Sequence, residues 1–271
     1  MIIVTGANKD SAKDDSGNLH KNFSFRGVIE KTAQQAKLCG YTPVIYDLGS
    51  LGIGKPFNVN DESFASNGYY EKEVVKGYKS KSLFKPEMIS MCMAEYNDFT
   101  VYVDGDAQLC GNIDEVVCDD YDIGVTLRDP VELENEWHKE HFDIVKYVNA
   151  GVIFFNATDA AKRFIEAWHK ETEAIGNDQM ALNKLTCPDH YPDYFSVSTI
   201  NGIRIKYFPG KQYNYYYFED GLVPNIKIMH FKGPVRHYYP FDWRKKLYCH
   251  TMIPIKNNIR KIIKLILPKN S

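Results

Sequence analysis

The first 47 residues carry the pattern that most limits the fold. An apolar run, Ile2 to Thr5, stops at Gly6 and is typical of a buried strand. Apolar residues recur at helical spacing between Gly27 and Cys39, and a second apolar run, Pro43 to Asp47, follows Gly40. A strand, a helix and a strand so close together predict a βαβ unit. Such a unit implies parallel strands, because a crossover helix joins them.

The rest of the chain continues this alternation without a repeat or a linker. Strands are predicted at 100–103, 123–126, 147–155, 203–207 and 226–229, and helices at 86–96, 113–117, 159–172 and from near residue 177. We therefore expect one α/β domain over residues 1–250, Rossmann-like, with a mostly parallel central sheet. Residues 251–271 are expected to form a C-terminal tail.

Composition excludes several classes of protein. Of the 271 residues, 44% are hydrophobic and 25% are charged, which is typical of a globular protein and not of a disordered, collagen-like or coiled-coil chain. The six cysteines form no CxxC pair, which favours free thiols in a reducing compartment. The N-terminal residues enter a strand directly, so we expect no signal peptide. The formal charge is −2, with −7 on residues 1–255, which argues against binding of nucleic acid by the body of the protein.

Two carboxylates follow the strand at 100–103 in the sequence Asp104-Gly105-Asp106. Residues i and i+2 of an extended chain face the same side, so both side chains can converge on one point. Two like charges so close destabilise each other unless a cation lies between them. Ligands of open α/β sheets bind beyond the carboxyl ends of strands, where this pair lies. The alternative is a solvated turn, since Asp-Gly is a common turn dipeptide.

The opening segment, Val4 to Lys9, permits an oxidoreductase as an alternative. It looks like the start of a short-chain dehydrogenase, in which glycine-rich turns let the backbone approach a pyrophosphate. However, Asp10 and Ala12 stand where later glycines belong. The one Tyr-xxx-Lys match, Tyr207 to Lys211, contains Pro209-Gly210 and is not a helical turn.

Five segments together give the most specific indication. In chain order they are Val101 to Ala107 with the Asp104-Gly105-Asp106 sequence, Val148 to Asn156 (VNAGVIFFN), Asn177-Asp178-Gln179 with Asn183, Gln212 to Tyr215 (QYNY), and His230 to Pro234 (HFKGP). This series resembles the motifs of glycosyltransferase family 8, whose members have the GT-A fold. The resemblance implies a metal-dependent transferase that uses a nucleotide-diphosphate sugar.

The resemblance also implies roles for individual residues at the donor site. Asp104, Asp106 and His230 would bind a divalent ion, Mn²⁺ in preference to Mg²⁺, because the ligands mix carboxylate with imidazole. The donor would contact Gly6, Ala7, Asn8, Lys85, Asp104, Gly105, Lys232 and Gly233. Relatives carry an acidic residue where Gly6-Ala7-Asn8 stands, which leaves the nucleotide open, with UDP favoured. Lys85 stands where an arginine is more usual.

A second set of residues is implied for the sugar, the acceptor and catalysis. Asn149, Ala150, Gly151 and Asn177 would face the sugar or the acceptor, and Asp178 and Gln179 would lie beside the anomeric carbon. Family 8 enzymes transfer with retention, whereas Asp178 acting as a general base would give inversion. An alternative for Asp178 is a helix cap. His138 and His141 lie in a charged stretch and are expected to be solvated, and the alternative is that an acceptor-binding loop uses them.

The C-terminal tail is basic and amphipathic. Between Pro254 and Pro268, one side of a helical projection carries the apolar residues Ile255, Ile259, Ile262, Ile263 and Ile266, and the other side carries cations. The five cations after residue 255 and the absence of acids there favour contact with anionic lipid headgroups, and a helix docked on the core is the alternative.

The sequence thus predicts a transferase on the cytoplasmic face of a membrane. It would move a hexose to a glycan or a lipid-linked saccharide in the synthesis of a surface polysaccharide or lipopolysaccharide. The alternatives are the dehydrogenase and a relative that binds nucleotide sugars without turnover.

Overall fold

The computed structural model describes residues 1–7, 23–47, 83–142 and 146–266. Within these ranges the strands are β1 Ile2–Ala7, β2 Thr42–Asp47, β3 Thr100–Val103, β4 Ala107–Leu109, β5 Ile123–Leu127, β6 Val148–Phe155, β7 Val197–Ile200, β8 Ile203–Pro209 and β9 Ile228–His230. The α-helices are α1 Phe25–Leu38, α2 Phe84–Tyr96, α3 Pro130–Leu133, α4 Glu136–Glu140, α5 Asp159–Ile175, α6 Asp178–Thr186, α7 Gly210–Tyr213 and α8 Trp243–Ile266. Short 3₁₀ helices span Asp114–Val116, Phe218–Asp220 and Gly233–Tyr238.

Seven strands form one mostly parallel sheet in the order β2-β1-β3-β6-β5-β8-β7. β1 runs parallel to β2 and β3, and β5 runs parallel to β8, as the βαβ pattern predicts. β6 is antiparallel to both β3 and β5, and β7 is antiparallel to β8. Because β6 runs against its neighbours, its first residues lie at the same edge of the sheet as the last residues of β3 and β5.

The central strands are buried on both faces, so every residue of β3, β5 and β6 is buried. On one face, Val101 and Val103 pack in the core that includes α1. On the other face, Tyr102 packs in the core that includes α2 and α5, where Trp168 is fully buried. Each large apolar side chain buried in this way stabilises the fold by about 1.5–3 kcal/mol.

A second, two-stranded sheet joins β4 to β9. The strands are antiparallel, and their register places Ala107 opposite His230. The sheet is extended at its margin by the amide of Phe231, which donates to the carbonyl of Asp106 at 2.8 Å. This pairing brings residues more than 120 positions apart in the sequence to the edge where β3 and β5 end.

The C-terminal helix is longer than the tail that the sequence predicts. α8 begins at Trp243, within the predicted transferase domain, and Pro254 lies inside it. A proline inside a helix costs about 3 kcal/mol because it removes a hydrogen bond and crowds the preceding turn. Burial of Cys249 and Ile253 in an aromatic cluster around Phe218 offsets that cost.

The opposite side of α8 is exposed. Tyr248, Met252, Ile255 and Ile259 are each at least 42% exposed, and at 100° per residue they fall within about 60° of one another. The apolar side chains of this stripe are therefore not docked on the core. Among the described residues, no helix combines the length and the apolar character that crossing a bilayer requires.

Candidate functional site

Three potential metal ligands meet at the edge of the large sheet. One ligand atom from each of Asp104, Asp106 and His230 lies within 4.8 Å of the other two. The His230 Nε2 atom is 3.0 Å from Oδ1 of Asp106 and 3.7 Å from Oδ2 of Asp104. Asp106 and His230 are buried, whereas Asp104 is partly exposed.

The two aspartates are held by the chain around them. The Asp104 amide donates to the carbonyl of Gly151 on β6 at 2.8 Å, and the Asp104 carbonyl accepts from the amide of Ala107, which closes a tight turn. Gly105 sits at the apex of that turn, where a Cβ atom would lie 3.0 Å from the carbonyl oxygen of Gly6 on β1. A glycine therefore suits the close approach of the two chain segments, since a side chain here would press on the backbone of β1.

The orientation of the His230 ring is fixed by a buried asparagine. The side-chain amide nitrogen of Asn214 donates to the hydroxyl of Thr126 at 2.8 Å and to Oδ1 of Asn149 at 3.1 Å. Oδ1 of Asn214 therefore faces His230 Nδ1, 2.8 Å away, and accepts its proton. This assignment, which follows from the donors and acceptors of the network, leaves Nε2 directed at the carboxylates.

A divalent cation suits this arrangement of donor atoms. In the neutral tautomer, Nε2 presents a lone pair to carboxylate oxygens that also carry only lone pairs, so a cation or a proton must lie between them. Burial alone raises the pKa of Asp106, but Arg236, and His230 when its ring carries a second proton on Nε2, outweigh burial and hold that pKa well below its usual value. A set of ionised carboxylates and imidazole is chemically suited to a divalent metal ion.

Two cations flank the acidic ligands. Lys85 Nζ is 3.1 Å from Asp104 and 2.8 Å from Asp178, so it bridges the two carboxylates. Although burial favours the neutral amine, the two aspartates raise the pKa of Lys85 well above its usual value. On the other side, Arg236 Nη2 donates to Asp106 at 2.9 Å, and its guanidinium lies 4.9 Å from the ring centroid of Phe25.

Lys232 is a third cation near the site, and its surroundings differ. Its ammonium lies 3.3 Å from the ring centroid of Tyr216. Within the described ranges this ammonium makes no hydrogen bond and no ion pair, and the Lys232 carbonyl accepts from the amide of Val235 at 3.3 Å. Burial, with a smaller contribution from the nearby Arg128, lowers the pKa of Lys232 to about 7.

The start of α6 brings Asp178 to the site. Asn177, not Asp178, is the N-cap: its side chain accepts from the amide of Met180 at 2.9 Å. The Asp178 carboxylate is thus left to pair with Lys85. The Gln179 amide is bound to β6, since its oxygen accepts from the Ala150 amide at 2.8 Å and its nitrogen donates to the carbonyl of Val148.

The first residues of β6 form the floor of the site. Oδ1 of Asn149 accepts from the Gly151 amide at 2.9 Å as well as from Asn214, so this side chain belongs to the His230 network. A Cβ atom on Gly151 would lie 2.4 Å from Cε1 of His230 and 2.6 Å from its Nδ1. Residue 151 has to be a glycine because the His230 imidazole occupies the space that a side chain would need. The carbonyl of Ala150 lies 3.4 Å from Lys85 Nζ.

The glycines predicted at the donor lie in two places. Gly6 and Gly105 touch at the edge of the sheet, and Ala7 is the last residue of β1. Gly233 starts the 3₁₀ helix that carries Arg236, is exposed, and has a φ of 54°, which favours glycine. Asn8, also predicted to bind the donor, lies outside the described residues.

Other residues of the site carry no local signal in the sequence. Arg236 is a lone arginine after a Gly-Pro pair, and only the fold places it on Asp106.

The prediction that His138 is solvated is wrong: its side chain is 12% exposed, and its Nε2 lies 2.9 Å from Glu132. Glu132 and His138 of this charged stretch turn inward, and Glu132 also accepts from Tyr217; Glu134, Glu136, Lys139 and Glu140 are exposed.

Comparisons with known proteins agree with this geometry. A family model described as nucleotide-diphospho-sugar transferase matches residues 87–236, more than half of the chain. A crystal structure of the galactosyltransferase LgtC in complex with donor and acceptor sugar analogs is 16% identical and has a TM-score of 0.50, with 94% of this chain and 96% of that one covered. A glycosyltransferase involved in glycosylation of the major capsid of PBCV-1 is 10% identical and also has a TM-score of 0.50, with 85% and 93% covered. At these identities the likeness is one of fold. No curated protein sequence matches the chain.

The dehydrogenase alternative has no support from the fold. Tyr207 lies on β8 and Lys211 on α7, so the pair does not share a helical turn. The family match and the fold both favour the transferase.

Proposed function

The chain belongs to the nucleotide-diphospho-sugar transferase family, and we propose that it moves a hexose from a UDP-sugar, with retention, to a glycan or a lipid-linked saccharide. The meeting of Asp104, Asp106 and His230 beside three cations is the observation that carries this proposal. The oxygens of a nucleotide diphosphate are negatively charged and bind best where several cations face them. This edge of the sheet offers such cations. We assign the product to a surface polysaccharide or lipopolysaccharide.

Asp104, Asp106 and His230 would hold Mn²⁺, or in second place Mg²⁺. When bound, the ion supplies charge that neutralises the departing diphosphate. The protein's part is to keep the ligands ready: Asn214 sets the tautomer of His230, and Arg236 holds the Asp106 carboxylate in place. Outer partners of this kind orient a ligand and are worth about 10–100-fold in metal affinity.

Lys85 lies on one side of the three candidate metal ligands, and Arg236 and Lys232 lie on the other. The phosphates of the donor would lie between these cations. Arg236 offers a planar fork and Lys232 a point charge, and the exposed backbone of Gly233 between them allows a close approach. Lys85 lies on the side of Asp178, toward the sugar. The nucleoside would rest on the edge formed by Gly6, Ala7 and Gly105, and we assign Asn8 to the same donor from the sequence alone.

Asp178 is proposed as the carboxylate beside the anomeric carbon. Positive charge develops there as the bond to the phosphate breaks, and the ion pair with Lys85 keeps Asp178 oriented. Gln179, on the same helix, would also lie beside the anomeric carbon. Its side-chain amide is hydrogen-bonded to Val148 and Ala150 of β6. Asn149, Ala150, Gly151 and Asn177 would shape the sugar and acceptor side.

Thermal shift measurements test the donor and the ion together. We expect a UDP-sugar to raise the melting temperature in the presence of Mn²⁺ by more than GDP- or CMP-sugars do, and we expect a chelator to remove the shift. Ligand at about 100 times its Kd stabilises a protein by about 2.7 kcal/mol. The same panel with Asp106→Ala is the control and should show no shift. A nucleotide-sugar shift that persists in chelator would contradict the proposal.

We also propose that α8, together with the basic tail predicted at residues 251–271, binds a membrane at the cytoplasmic face. Between Trp243 and Ile266 the sequence has seven Lys and Arg residues and no acid, and the stripe of Tyr248, Met252, Ile255 and Ile259 is exposed. A basic helix with an exposed apolar face is suited to the surface of an anionic bilayer.

Truncation after Pro254 tests the membrane proposal. It keeps the buried Cys249 and Ile253, so donor hydrolysis should persist, while binding to anionic liposomes should be lost. Ile255→Glu in the full chain should weaken liposome binding without shortening the helix. Equal binding by the truncated and full-length proteins would end the proposal.

A further inference from the structure

A cluster of largely buried polar side chains lies beside the proposed donor site, next to Lys232. We call it the Glu132 cluster; it consists of Arg128, Glu132, His138, Tyr216 and Tyr217. One carboxylate oxygen of Glu132 contacts Arg128 Nη1 at 2.8 Å and His138 Nε2 at 2.9 Å. The other accepts from the hydroxyls of Tyr216 and Tyr217, at 2.5 and 2.7 Å. Glu132 thus ties α3 and α4 to the segment that follows α7.

Tyr216 connects this cluster to the donor site. One side of its ring stacks on Tyr217, with ring centroids 4.3 Å apart and an interplanar angle of 24°. The Lys232 ammonium rests on the ring at 3.3 Å from the centroid. The ring also meets the His230 imidazole edge to face, at 6.3 Å. The hydroxyl bound by Glu132 therefore sets the plane on which Lys232 rests.

The charges of the cluster leave Lys232 available to a ligand. Glu132 pairs with Arg128 at ion-pair distance, and it attracts Lys232 electrostatically without forming an ion pair with it. Lys232 shares no ion pair within the part of the chain that the structure describes, and its contact is the face of an aromatic ring. A partly buried ammonium held in this way is suited to an anionic oxygen that arrives with the substrate.

We propose that Glu132 is a positioning residue of the donor site: through the Tyr216 hydroxyl it fixes the ring that supports the Lys232 ammonium, and so sets where that ammonium meets the diphosphate of the donor. The proposal rests on the proposed function, because it requires a diphosphate donor. Glu132 itself touches no substrate in this scheme.

A pair of matched tyrosine variants tests the proposal. Tyr216→Phe and Tyr217→Phe each remove one hydroxyl from the same oxygen of Glu132, but only the Tyr216 ring carries Lys232. We expect Tyr216→Phe to lower kcat/KM for the UDP-sugar on the order of tenfold, the scale of a displaced charged contact. We expect Tyr217→Phe to change it less than about twofold, and the KM of the acceptor to stay constant in both.

A double-mutant cycle with Lys232→Met separates positioning from a merely structural role. If Tyr216 acts through Lys232, then Tyr216→Phe costs nothing further once Lys232 is replaced, and the two losses are not additive. Additive losses, equal effects of the two tyrosine variants, or a change in acceptor KM instead of donor kinetics would overturn the proposal. Failure of the unaltered protein to turn over any nucleotide sugar would instead refute the proposed function. Melting temperatures identify any variant that does not fold.

Discussion

Gly151→Ala is the sharpest test of how the metal ligands are held. The new methyl carbon would lie 2.4 Å from Cε1 of His230, 2.6 Å from its Nδ1 and 3.0 Å from Oδ1 of Asn149. Carbon atoms in ordinary contact stay about 3.5–4.0 Å apart, so the ring must withdraw by roughly 1 Å. The imidazole has little freedom to do so, because it is buried between Asn214 and Asp106.

The expected loss follows from that displacement. Metal–ligand distances tolerate about 0.2 Å, so a shift of roughly 1 Å removes His230 from the coordination sphere. We expect the affinity for Mn²⁺ to fall about 100-fold and the transfer rate to fall at least as far. Overpacking of a core costs about 1–3 kcal/mol, which a domain of this size survives folded.

The assay is titration of Mn²⁺ by calorimetry without nucleotide, next to a thermal melt. Gly111→Ala is the matched control, since a Cβ atom there meets nothing within 4 Å, and it should leave both measurements unchanged. If Gly151→Ala binds Mn²⁺ like the unaltered protein and loses only affinity for the sugar or the acceptor, then the glycine serves substrate approach alone. The steric argument would then be refuted.

Other side chains of the site give further tests. Asp104→Ala or Asp106→Ala should abolish Mn²⁺-dependent nucleotide binding, measured by calorimetry, while circular dichroism shows a folded protein. Asn214→Leu removes the acceptor of the His230 Nδ1 proton and should cost about 10–100-fold in Mn²⁺ affinity. Burial raises the pKa of Glu132, but hydrogen bonds from His138 and Tyr216 and the charges of Lys232 and Arg128 outweigh burial. The pKa of Glu132 is therefore held below its usual value of 4.5. Its contribution to the free energy of unfolding is therefore present above pH 4.5 and lost as pH falls below it, so Glu132→Gln should flatten the acid side of a stability profile.

The strands with clear patterns were predictable from sequence, because burial on two faces leaves unbroken apolar runs. β3 and β6 were found within one residue of their ends in this way. β4 was missed, since three residues carry no periodicity. That omission matters for the site, because the pairing of Ala107 with His230 is what carries the imidazole to Asp106. The candidate ligand set was therefore available from the family resemblance, and the physical reason why its members meet only from the fold.

The end of the chain shows how a local rule fails. Pro254 marks the start of a helix in the sequence, yet α8 passes through it, because tertiary packing of Cys249 and Ile253 outweighs a local penalty. The stretch around His138 was misjudged for the complementary reason. A run of charges is usually solvated, and most of this one is, but Arg128 and two tyrosines satisfy Glu132, so Glu132 and His138 turn inward.

These two failures have one physical origin, and it bears on the site. Sequence patterns report how a residue interacts with its chain neighbours, whereas Arg236, Asn214 and Glu132 act through partners 130, 16 and 84 positions away. The side chains that touch a ligand recur in recognisable motifs because the ligand chemistry is shared. The side chains that hold them have no such constraint, since any donor of suitable reach can orient an imidazole or a ring. The supporting contacts of this transferase are therefore where its sequence is least informative and where the variants of Gly151, Asn214 and Tyr216 are most informative.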